Sequence, residues 1–206
     1  MIDPISNLPL KDRVAALIRA EIASGRVEDG EELTQESVSQ ALEVSRIPVR
    51  EAFLQLENEG MLQRLPNRHV RVIGPTPQRT RQNFRVTAAI EAEIVRLLPP
   101  GWEPAETEDA LAHCRDAAET GDREAFFQWE DAIHLSLSRA LDNPALCQRY
   151  ALQRRILHLD VVPLDSAVML ERDEAILRCL ERGETEAAVD AVQDYYATLC
   201  AAAARR

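Results

Sequence analysis

Residues 44–60 read VSRIPVREAFLQLENEG and predict a single amphipathic helix. Ser45 is expected to be its N-cap, because the hydroxyl can accept from a backbone N–H of the first turn. Pro48 fits inside that turn, where a missing N–H costs no helical hydrogen bond. Apolar residues then recur at the spacing of one buried helix face, and these are Val49, Ala52, Phe53 and Leu56. Gly60 is expected to end the helix.

Two arginines, Arg46 and Arg50, lie one turn apart on the polar face at the start of this helix. A recognition helix enters the major groove of DNA by its first turns, where the forked guanidinium of arginine can bond guanine or a phosphate. Two solvated surface arginines are the alternative interpretation of the same pattern. The sequence on either side of the helix favours the first interpretation.

The flanks of the helix predict a winged helix-turn-helix. Residues 33–42 predict a short amphipathic helix capped by Thr34, and only two residues separate it from Ser45. Two short helices joined by a tight turn make a helix-turn-helix. Residues 61–65 and 70–73 are strand-like runs joined by a turn, and they predict a hairpin that forms a wing.

Residues 13–73 resemble the winged-helix domain of the GntR family of bacterial transcription regulators, and the run VSRIPVREA at 44–52 is typical of the branch with an all-helical effector domain. The resemblance implies that the chain binds a double-stranded DNA operator. The implied DNA contacts are Thr34, Gln35, Ser45, Arg46, Pro48, Arg50, Asn67, Arg68 and His69. The chain departs from the family where Glu43 and His69 stand in place of the usual glycines, and where Glu36 stands at a position that is often basic.

A domain boundary is expected at residues 74–77, which read GPTP, because two prolines and a glycine continue neither a helix nor a strand. Residues 1–75 then form the winged helix-turn-helix domain, and residues 76–206 form an all-α domain. The expected helices of the second domain are 78–98, 106–120, 123–141, 144–161, 166–182 and 184–203. Six helices with short connections predict an antiparallel bundle, so the fold class is mainly α.

This second half resembles the helical, FCD-like C-terminal domain of FadR-type regulators in its smaller, six-helix form. The resemblance implies that the domain binds a small effector, commonly a carboxylic acid, and forms a homodimer. In that family one carboxylate and three histidines often hold a divalent metal. The matching positions in this chain are Glu130, His134, Asp173 and Tyr195.

The implied ligand set is altered in this chain. Glu130 and His134 are one turn apart on one helix face, which suits two ligands of one metal. With Asp173 they would prefer a hard divalent cation, whereas the phenol of Tyr195 stays protonated near neutral pH and is a poor ligand. The alternative is that Glu130 and His134 form a hydrogen-bonded pair without a metal. One divalent ion is therefore the only cofactor that the sequence suggests. The candidate effector-binding residues are Arg85, Glu130, His134, His158, Asp173 and Tyr195.

Charge and composition limit the functions that this chain can have. The net charge is −11, and residues 1–75 alone hold nine Lys/Arg against twelve Asp/Glu. Phosphate contact therefore depends on a local basic patch that a dimer would double, and non-specific DNA binding is expected to be weak. No apolar run approaches the roughly 18 residues of a membrane helix. The start lacks the pattern of a signal peptide and the four cysteines form no C-x-x-C pair, so a cytoplasmic location with reduced thiols is expected.

The sequence therefore predicts a homodimeric DNA-binding transcription regulator whose helical domain couples effector binding to operator binding. One alternative is a regulator that has lost effector control and binds DNA constitutively. A second alternative is a helical metalloenzyme in which Glu130, His134 and Asp173 activate water. The sequence contains no glycine-rich phosphate loop, no nucleophile elbow and no H-E-x-x-H motif, so it does not favour the enzyme.

Overall fold

The computed structural model describes residues 9–99, 101–102, 105–157 and 162–204. The chain divides into two compact units, Met1–Thr76 and Pro77–Arg206, which we call the N-terminal and the C-terminal unit. Within the described part of the chain, no helix is both long enough and apolar enough to cross a membrane. Each unit has its own hydrophobic core and is described by itself below.

The N-terminal unit is a winged helix-turn-helix with a small antiparallel sheet. Its elements are α1 (Leu10–Ala23), β1 (Glu32–Leu33), α2 (Gln35–Ala41), α3 (Arg46–Asn58), β2 (Leu62–Arg64) and β3 (Val70–Val72). The strand order is β1-β3-β2, with Leu33 paired to Val70 and Leu62 paired to Val72. The expected hairpin is confirmed. Strand β1 was not predicted. It includes Leu33, so the helix that was expected over residues 33–42 begins later, at Gln35.

The core of the N-terminal unit lies between α1, α3 and the sheet. The four apolar residues that were expected on the inner face of α3 are all buried, and the list is Val49, Ala52, Phe53 and Leu56. The inner face of α1 contains Val14, Ala15, Ile18 and Ile22. Leu17 was expected on that face but is 51% exposed, because the buried face of α1 is centred between Val14 and Ile22 and Leu17 lies to its side.

Two local features fix the turn between α2 and α3. Thr34 and Ser37 cap α2 reciprocally: the Ser37 amide donates to the Thr34 hydroxyl at 2.9 Å, and the Thr34 amide donates to the Ser37 hydroxyl at 3.3 Å. At the other end, Glu43 adopts a φ of 53°, a left-handed conformation that glycine adopts at lower cost. Ser45 is the N-cap residue of α3, but its hydroxyl accepts no capping hydrogen bond, so that part of the prediction is wrong.

The C-terminal unit is a bundle of six described helices. They are α4 (Pro77–Leu97), α5 (Ala105–Thr120), α6 (Arg123–Arg139), α7 (Pro144–Arg155), α8 (Ser166–Glu181) and α9 (Thr185–Ala203). Helix α9 packs against both α4 and α8, and α5 packs against α6 and α8. Helix α7 is shorter than expected, because a tighter turn in which the Leu157 amide donates to the Arg154 carbonyl at 3.0 Å ends it.

Candidate functional site

The exposed side chains at the start of α3 are Arg46, Ile47 and Arg50. Ile47 is 64% exposed, which is unusual for a large apolar residue and was not singled out from the sequence. An apolar side chain beside two arginines on a recognition helix can contact the methyl group of thymine. Pro48 was expected to contact DNA, but it is buried and instead shapes the first turn of α3.

Arg46 forms an ion pair across the helix-turn-helix. Its Nη2 donates to Oε1 of Glu36 on α2 at 2.9 Å, and both side chains are more than half exposed, at 64% and 59%. Such exposed pairs contribute little free energy, so a phosphate or a base can replace the carboxylate. Thr34 and Gln35 begin α2, where both are half-buried, and Ser45 lies exposed just before Arg46.

The hairpin between β2 and β3 carries the three residues that were expected at the wing. Asn67 accepts from the His69 amide at 3.1 Å, so its side chain closes the turn. Arg68 takes the left-handed conformation with a φ of 66°, and its exposed side chain forms no ion pair within the described residues. The His69 ring lies 3.4 Å from a carboxylate oxygen of Glu32, and Arg71 lies at the same distance from its second oxygen.

A second group of candidate functional residues lies inside the C-terminal unit, where helices α4, α6, α7, α8 and α9 meet. All of its members are buried, and we call it the buried cluster: Glu91, Glu130, His134, Tyr150, Arg154, Asp173, Tyr195 and Tyr196. Four of these eight are the positions matched from the sequence, namely Glu130, His134, Asp173 and Tyr195. Among the described residues, the ligand atoms of Glu130, His134 and Asp173 lie within 4.8 Å of one another.

Both oxygens of Glu130 are engaged. Oε1 accepts from the Tyr195 hydroxyl at 2.5 Å and lies 3.1 Å from Nε2 of His134. Oε2 accepts from Nη2 of Arg154 at 2.6 Å, and the same guanidinium donates to Asp131 at 2.7 Å and to the Tyr196 hydroxyl at 3.0 Å. Tyr195, which was matched to a family histidine position from the sequence, therefore donates to the carboxylate of Glu130.

His134 connects three carboxylates. Nδ1 donates to Oε1 of Glu91 at 2.6 Å, whereas Nε2 faces Glu130 and Asp173, each at 3.1 Å. The second oxygen of Glu91 accepts from Tyr196 at 2.7 Å and also from Tyr150. A carboxylate that orients the remote nitrogen of a histidine is the usual second partner of a metal-bound imidazole.

Three further members, Glu91, Tyr150 and Tyr196, were not predicted as site residues. Arg154 was considered only as part of a cluster with Arg155 and His158 that could neutralise an anionic effector or face water. Glu91 gave one signal in the sequence: it lies seven residues after Phe84 and four before Val95, so it shares a helix face with two apolar residues. Arg154 gave none, because arginine is rarely fully buried and α7 shows little amphipathic pattern.

The charges of the cluster shift its pKa values strongly. Burial opposes the ionisation of Glu130, but Arg154 and His134 outweigh burial and hold the pKa of this carboxyl at about 2. Burial and Arg154 oppose the protonation of His134, but the carboxylates of Glu91 and Glu130 raise its pKa well above the usual value. Burial raises the pKa of Asp173 to about 6, against the lowering effect of His134.

Asp173 leaves one atom of the cluster unsatisfied. Its Oδ2 is buried and has no hydrogen-bond partner among the residues that the structure describes. Buried polar atoms in proteins are almost always bonded, so such an atom marks a place for a water, an ion or a ligand. Two carboxylates, one imidazole and a histidine-orienting Glu91 fit a hard divalent cation, because oxygen donors dominate the set.

The structure does not bring Arg85, another candidate effector residue, to this cluster. Arg85 is exposed on the outer side of α4, where it borders a groove of about 720 Å³ and a pocket of about 390 Å³ whose lining includes Tyr196. His158 lies outside the described residues. Helix α4 thus carries Glu91 on its inner face and Arg85 on its outer face.

Comparisons with known proteins cover nearly the whole chain. Residues 10–72 match the model of the gntR family of bacterial regulatory proteins, and residues 82–198 match the FCD domain. The chain is 26% identical to a probable D-xylose utilization operon transcriptional repressor of Paenarthrobacter nicotinovorans, over 97% of this chain and 91% of that protein. It is 28% identical to the HTH-type transcriptional repressor RspR of Escherichia coli, over 65% of this chain and 60% of that protein.

Solved structures show the same fold. The E. coli protein McbR/YncC superposes with a TM-score of 0.71 at 22% identity, over 96% of this chain and 98% of that one. Lar, described as controlling expression of the Listeria monocytogenes agr system, also superposes with a TM-score of 0.71. Its sequence is 18% identical, over 96% of this chain and 98% of that one. The family and these relatives are transcription regulators and not enzymes. This chain therefore belongs to the GntR family of bacterial transcription regulators, and its helix-turn-helix domain is followed by an FCD domain.

Proposed function

We propose that this regulator binds its DNA operator as a homodimer in the cytoplasm, with Arg46, Ile47 and Arg50 in the major groove. The observation that carries this proposal is the exposed basic start of α3 next to an exposed isoleucine. Arg50 forms no ion pair within the described residues and is ready to bond a guanine or a phosphate. Arg68 and His69 of the wing would contact the neighbouring backbone.

Arg46 differs from Arg50 because it must first exchange Glu36 for DNA. The exchange costs little, since the pair is exposed, but it leaves a carboxylate close to the phosphates. The free carboxylate of Glu36 then repels the nearby phosphates and offsets part of the attraction that Arg46 gains. A basic residue at the same position would only add attraction to phosphate.

Gel-shift titration of the chain's own promoter region tests the DNA assignment. Arg50→Ala is expected to weaken specific binding at least tenfold, since a bidentate base contact contributes about 1–3 kcal/mol in each half-site. Arg46→Ala should weaken it similarly. The matched control is Arg139→Ala, an exposed arginine of α6 in the C-terminal unit, which should leave affinity unchanged. Wild-type affinity in both α3 variants would refute the assignment.

We infer that the buried cluster is the regulatory site and that a small organic acid is its effector. FCD domains often bind a metal or a small-molecule effector. The support in this chain is the unsatisfied Oδ2 of Asp173 beside Glu130 and His134. These three residues would hold one divalent cation, which supplies a positive centre for the carboxylate of an acid. Arg85 is not part of this proposed site, because its side chain lies on the outer side of α4.

Thermal-shift titration with Mn²⁺, Mg²⁺ and Zn²⁺ tests the cation, and a panel of small organic acids tests the effector. Mn²⁺ is expected to raise the melting temperature of the wild type and to have no effect on Asp173→Asn, which removes one anionic ligand. Glu174→Gln is the matched control, because Glu174 pairs with Arg115 and Arg178 and is outside the cluster. Equal shifts in Asp173→Asn and wild type would exclude Asp173 as a ligand of the cation and contradict the proposed site.

One observation favours a second function, a regulator without effector control. Arg154 and Tyr195 already occupy both oxygens of Glu130, so the cluster is nearly complete without any ligand. Under this alternative neither metal nor organic acid would change the melting temperature or the operator affinity. The same two titrations therefore distinguish the two functions.

A further inference from the structure

A small pocket opens between α4 and α9 in the C-terminal unit. It has a volume of about 390 Å³, and three alanines, Ala88, Ala89 and Ala197, form part of its wall. Small-molecule sites in proteins have volumes of roughly 300–1,000 Å³, so the space is large enough for a small metabolite. Alanine keeps the space open, because a larger side chain at these positions would occupy it.

Two arginines of α4 supply positive charge to this pocket. Arg85 lines it, and Arg81 lies one helical turn earlier. Cys200 of α9 also lines the pocket, and its thiol donates to the backbone carbonyl oxygen of Arg81 at 3.9 Å. Burial raises the pKa of this thiol, and the guanidinium groups of Arg85 and Arg81 lower it by a smaller amount. The thiol is therefore uncharged near neutral pH, and both guanidinium groups lie near it.

Neither Arg81 nor Arg85 forms an ion pair with a carboxylate of the described residues. This is unusual in a chain that holds 35 Asp/Glu against 24 Lys/Arg. Other arginines of the C-terminal unit are paired, and these include Arg96, Arg115, Arg154, Arg172 and Arg178. None of the described residues that line the pocket is acidic. The pocket is therefore a local centre of positive charge in an acidic protein, and such a centre attracts anions.

Two guanidinium groups at one pocket fit a ligand with two negative charges. The fork of each guanidinium bonds phosphate or carboxylate oxygens in pairs. A phosphate monoester carries about 1.5–2 negative charges at pH 7, and a dicarboxylate carries two because both acids are ionised. Gln193 lines the same pocket, and its amide can donate to a further oxygen. The alanines and the ring of Tyr196 provide an apolar side for the carbon chain of the ligand.

Tyr196 belongs to both the pocket and the buried cluster. It lines the pocket, whereas its hydroxyl donates to Glu91 at 2.7 Å and accepts from Arg154 at 3.0 Å. A ligand in the pocket therefore contacts a side chain that joins two charges of the cluster. The pocket is nevertheless separate from the proposed cation site, because none of the three proposed cation ligands lines it.

We propose that this pocket is a second small-molecule site, which binds a dianionic metabolite through Arg81, Arg85 and Gln193. A phosphate monoester and a dicarboxylic acid share the chemistry that the two arginines recognise. The proposed ligand needs no metal ion, so the site does not depend on the cation proposed for the buried cluster.

Protection of Cys200 from iodoacetamide tests the pocket in the full chain, with a chelator present so that no cation fills the buried cluster. The probes are glycerol phosphate and succinate, and mass spectrometry follows each cysteine separately. At about ten times its dissociation constant, a probe should slow the alkylation of Cys200 about tenfold, because only the free protein reacts. Cys147 and Cys179 are also half-buried and should react at unchanged rates. Glycerol, which lacks the charge, should give no protection.

Arg81→Gln and Arg85→Gln each remove one guanidinium. Each variant should need at least about tenfold more probe for the same ratio of protected to unprotected rate, since hydrogen bonds between charged groups are the strong ones. Arg139→Gln is the matched control, because this exposed arginine lies on α6, and it should be protected like the wild type.

Protection by only one probe would support the proposal and identify the anionic group of the ligand. Protection by neither probe, or equal protection in the wild type and both arginine variants, would overturn it. Asp173→Asn should keep the protection, and its loss there would place the probe in the buried cluster and overturn the proposal as well. The Mn²⁺ titration of the cluster is independent of these outcomes.

Discussion

Replacing Arg154 with methionine measures how much the buried cluster contributes to stability. Methionine keeps much of the length of the side chain but removes the guanidinium that binds Glu130 at 2.6 Å and Asp131 at 2.7 Å. The Asp131 side chain is 39% exposed, so water can replace the lost partner. Glu130 is fully buried, so water cannot reach its carboxylate. The cost of the substitution therefore falls mainly on Glu130, because the other buried carboxylate, Glu91, lies 3.9 Å from Arg154 and keeps its bonds to His134 and two tyrosines.

The least costly response for Glu130 is to take up a proton. At pH 7 this costs about 1.4 kcal/mol for each unit between the pH and the ordinary glutamate pKa of about 4.3, or about 3.7 kcal/mol. Removing one partner of a buried ion pair costs about 3–5 kcal/mol in general. We expect Arg154→Met to lower the free energy of unfolding by about 3–5 kcal/mol, a large part of the roughly 5–15 kcal/mol that folded proteins have.

The expected loss depends on pH with a definite sign. In the wild type the pKa of Glu130 is held at about 2, so its stabilisation is present above the ordinary glutamate value and is lost only as the pH falls through about 2. Between pH 7 and pH 5 this contribution hardly changes. In the variant, protonation of Glu130 at pH 5 costs only about 1 kcal/mol. The difference in free energy of unfolding between wild type and variant should therefore decrease by about 2–3 kcal/mol from pH 7 to pH 5.

Urea denaturation followed by circular dichroism, with a chelator present, measures both effects. The matched control is Arg149→Met, because this arginine of α7 is exposed and its loss should cost well under about 1 kcal/mol. Arg154→Lys keeps the charge but loses the planar fork, so it should fall between wild type and methionine. A loss below about 1 kcal/mol at pH 7, or a gap that stays constant down to pH 5, would refute the argument.

Three further predictions concern the N-terminal unit. Glu43→Gly should stabilise the fold by about 0.5–1 kcal/mol in urea denaturation, since glycine adopts the φ of 53° without strain; no gain would show that the turn is not strained. Glu36→Gln should raise operator affinity by up to about fivefold in a gel shift, because Arg46 then no longer has to break an exposed ion pair that contributes at most about 1 kcal/mol. Unchanged affinity would mean that Glu36 does not compete with DNA. Ile47→Ser should weaken binding to sites with thymine opposite α3 more than to other sites, and equal losses would exclude a methyl contact.

The sequence predicted the N-terminal unit well because its determinants are local. Val49, Ala52, Phe53 and Leu56 define the inner face of α3 by their spacing alone, and all four are buried. The prediction failed at two positions where contacts distant in sequence decide the local structure. Ser45 has the backbone of an N-cap without its hydrogen bond, and strand β1 is only two residues long, which is too short to give a period.

The buried cluster was predictable only in part. The resemblance to known regulators supplied Glu130, His134, Asp173 and Tyr195, and the spacing showed only that Glu130 and His134 share one face of α6. Glu91 and Arg154 were missed as cluster members because burying a charge is costly, and a sequence pattern assigns charged residues to the surface by default. Only the packing of α4 and α7 against α6 shows that these two opposite charges compensate each other inside the bundle.

Helix α4 contributes Glu91 to the buried cluster, and its Oε1 lies 2.6 Å from Nδ1 of His134. This contact orients the imidazole so that Nε2 faces Glu130 and Asp173, each at 3.1 Å. Replacing a carboxylate that orients a metal-binding histidine typically weakens metal affinity about 10–100-fold. Glu91→Gln removes the negative charge but keeps the size of the side chain, so it should reduce the rise in melting temperature that Mn²⁺ is expected to produce in the wild type. A Mn²⁺ titration of Glu91→Gln that matches the wild type would show that Glu91 does not support a cation at this cluster.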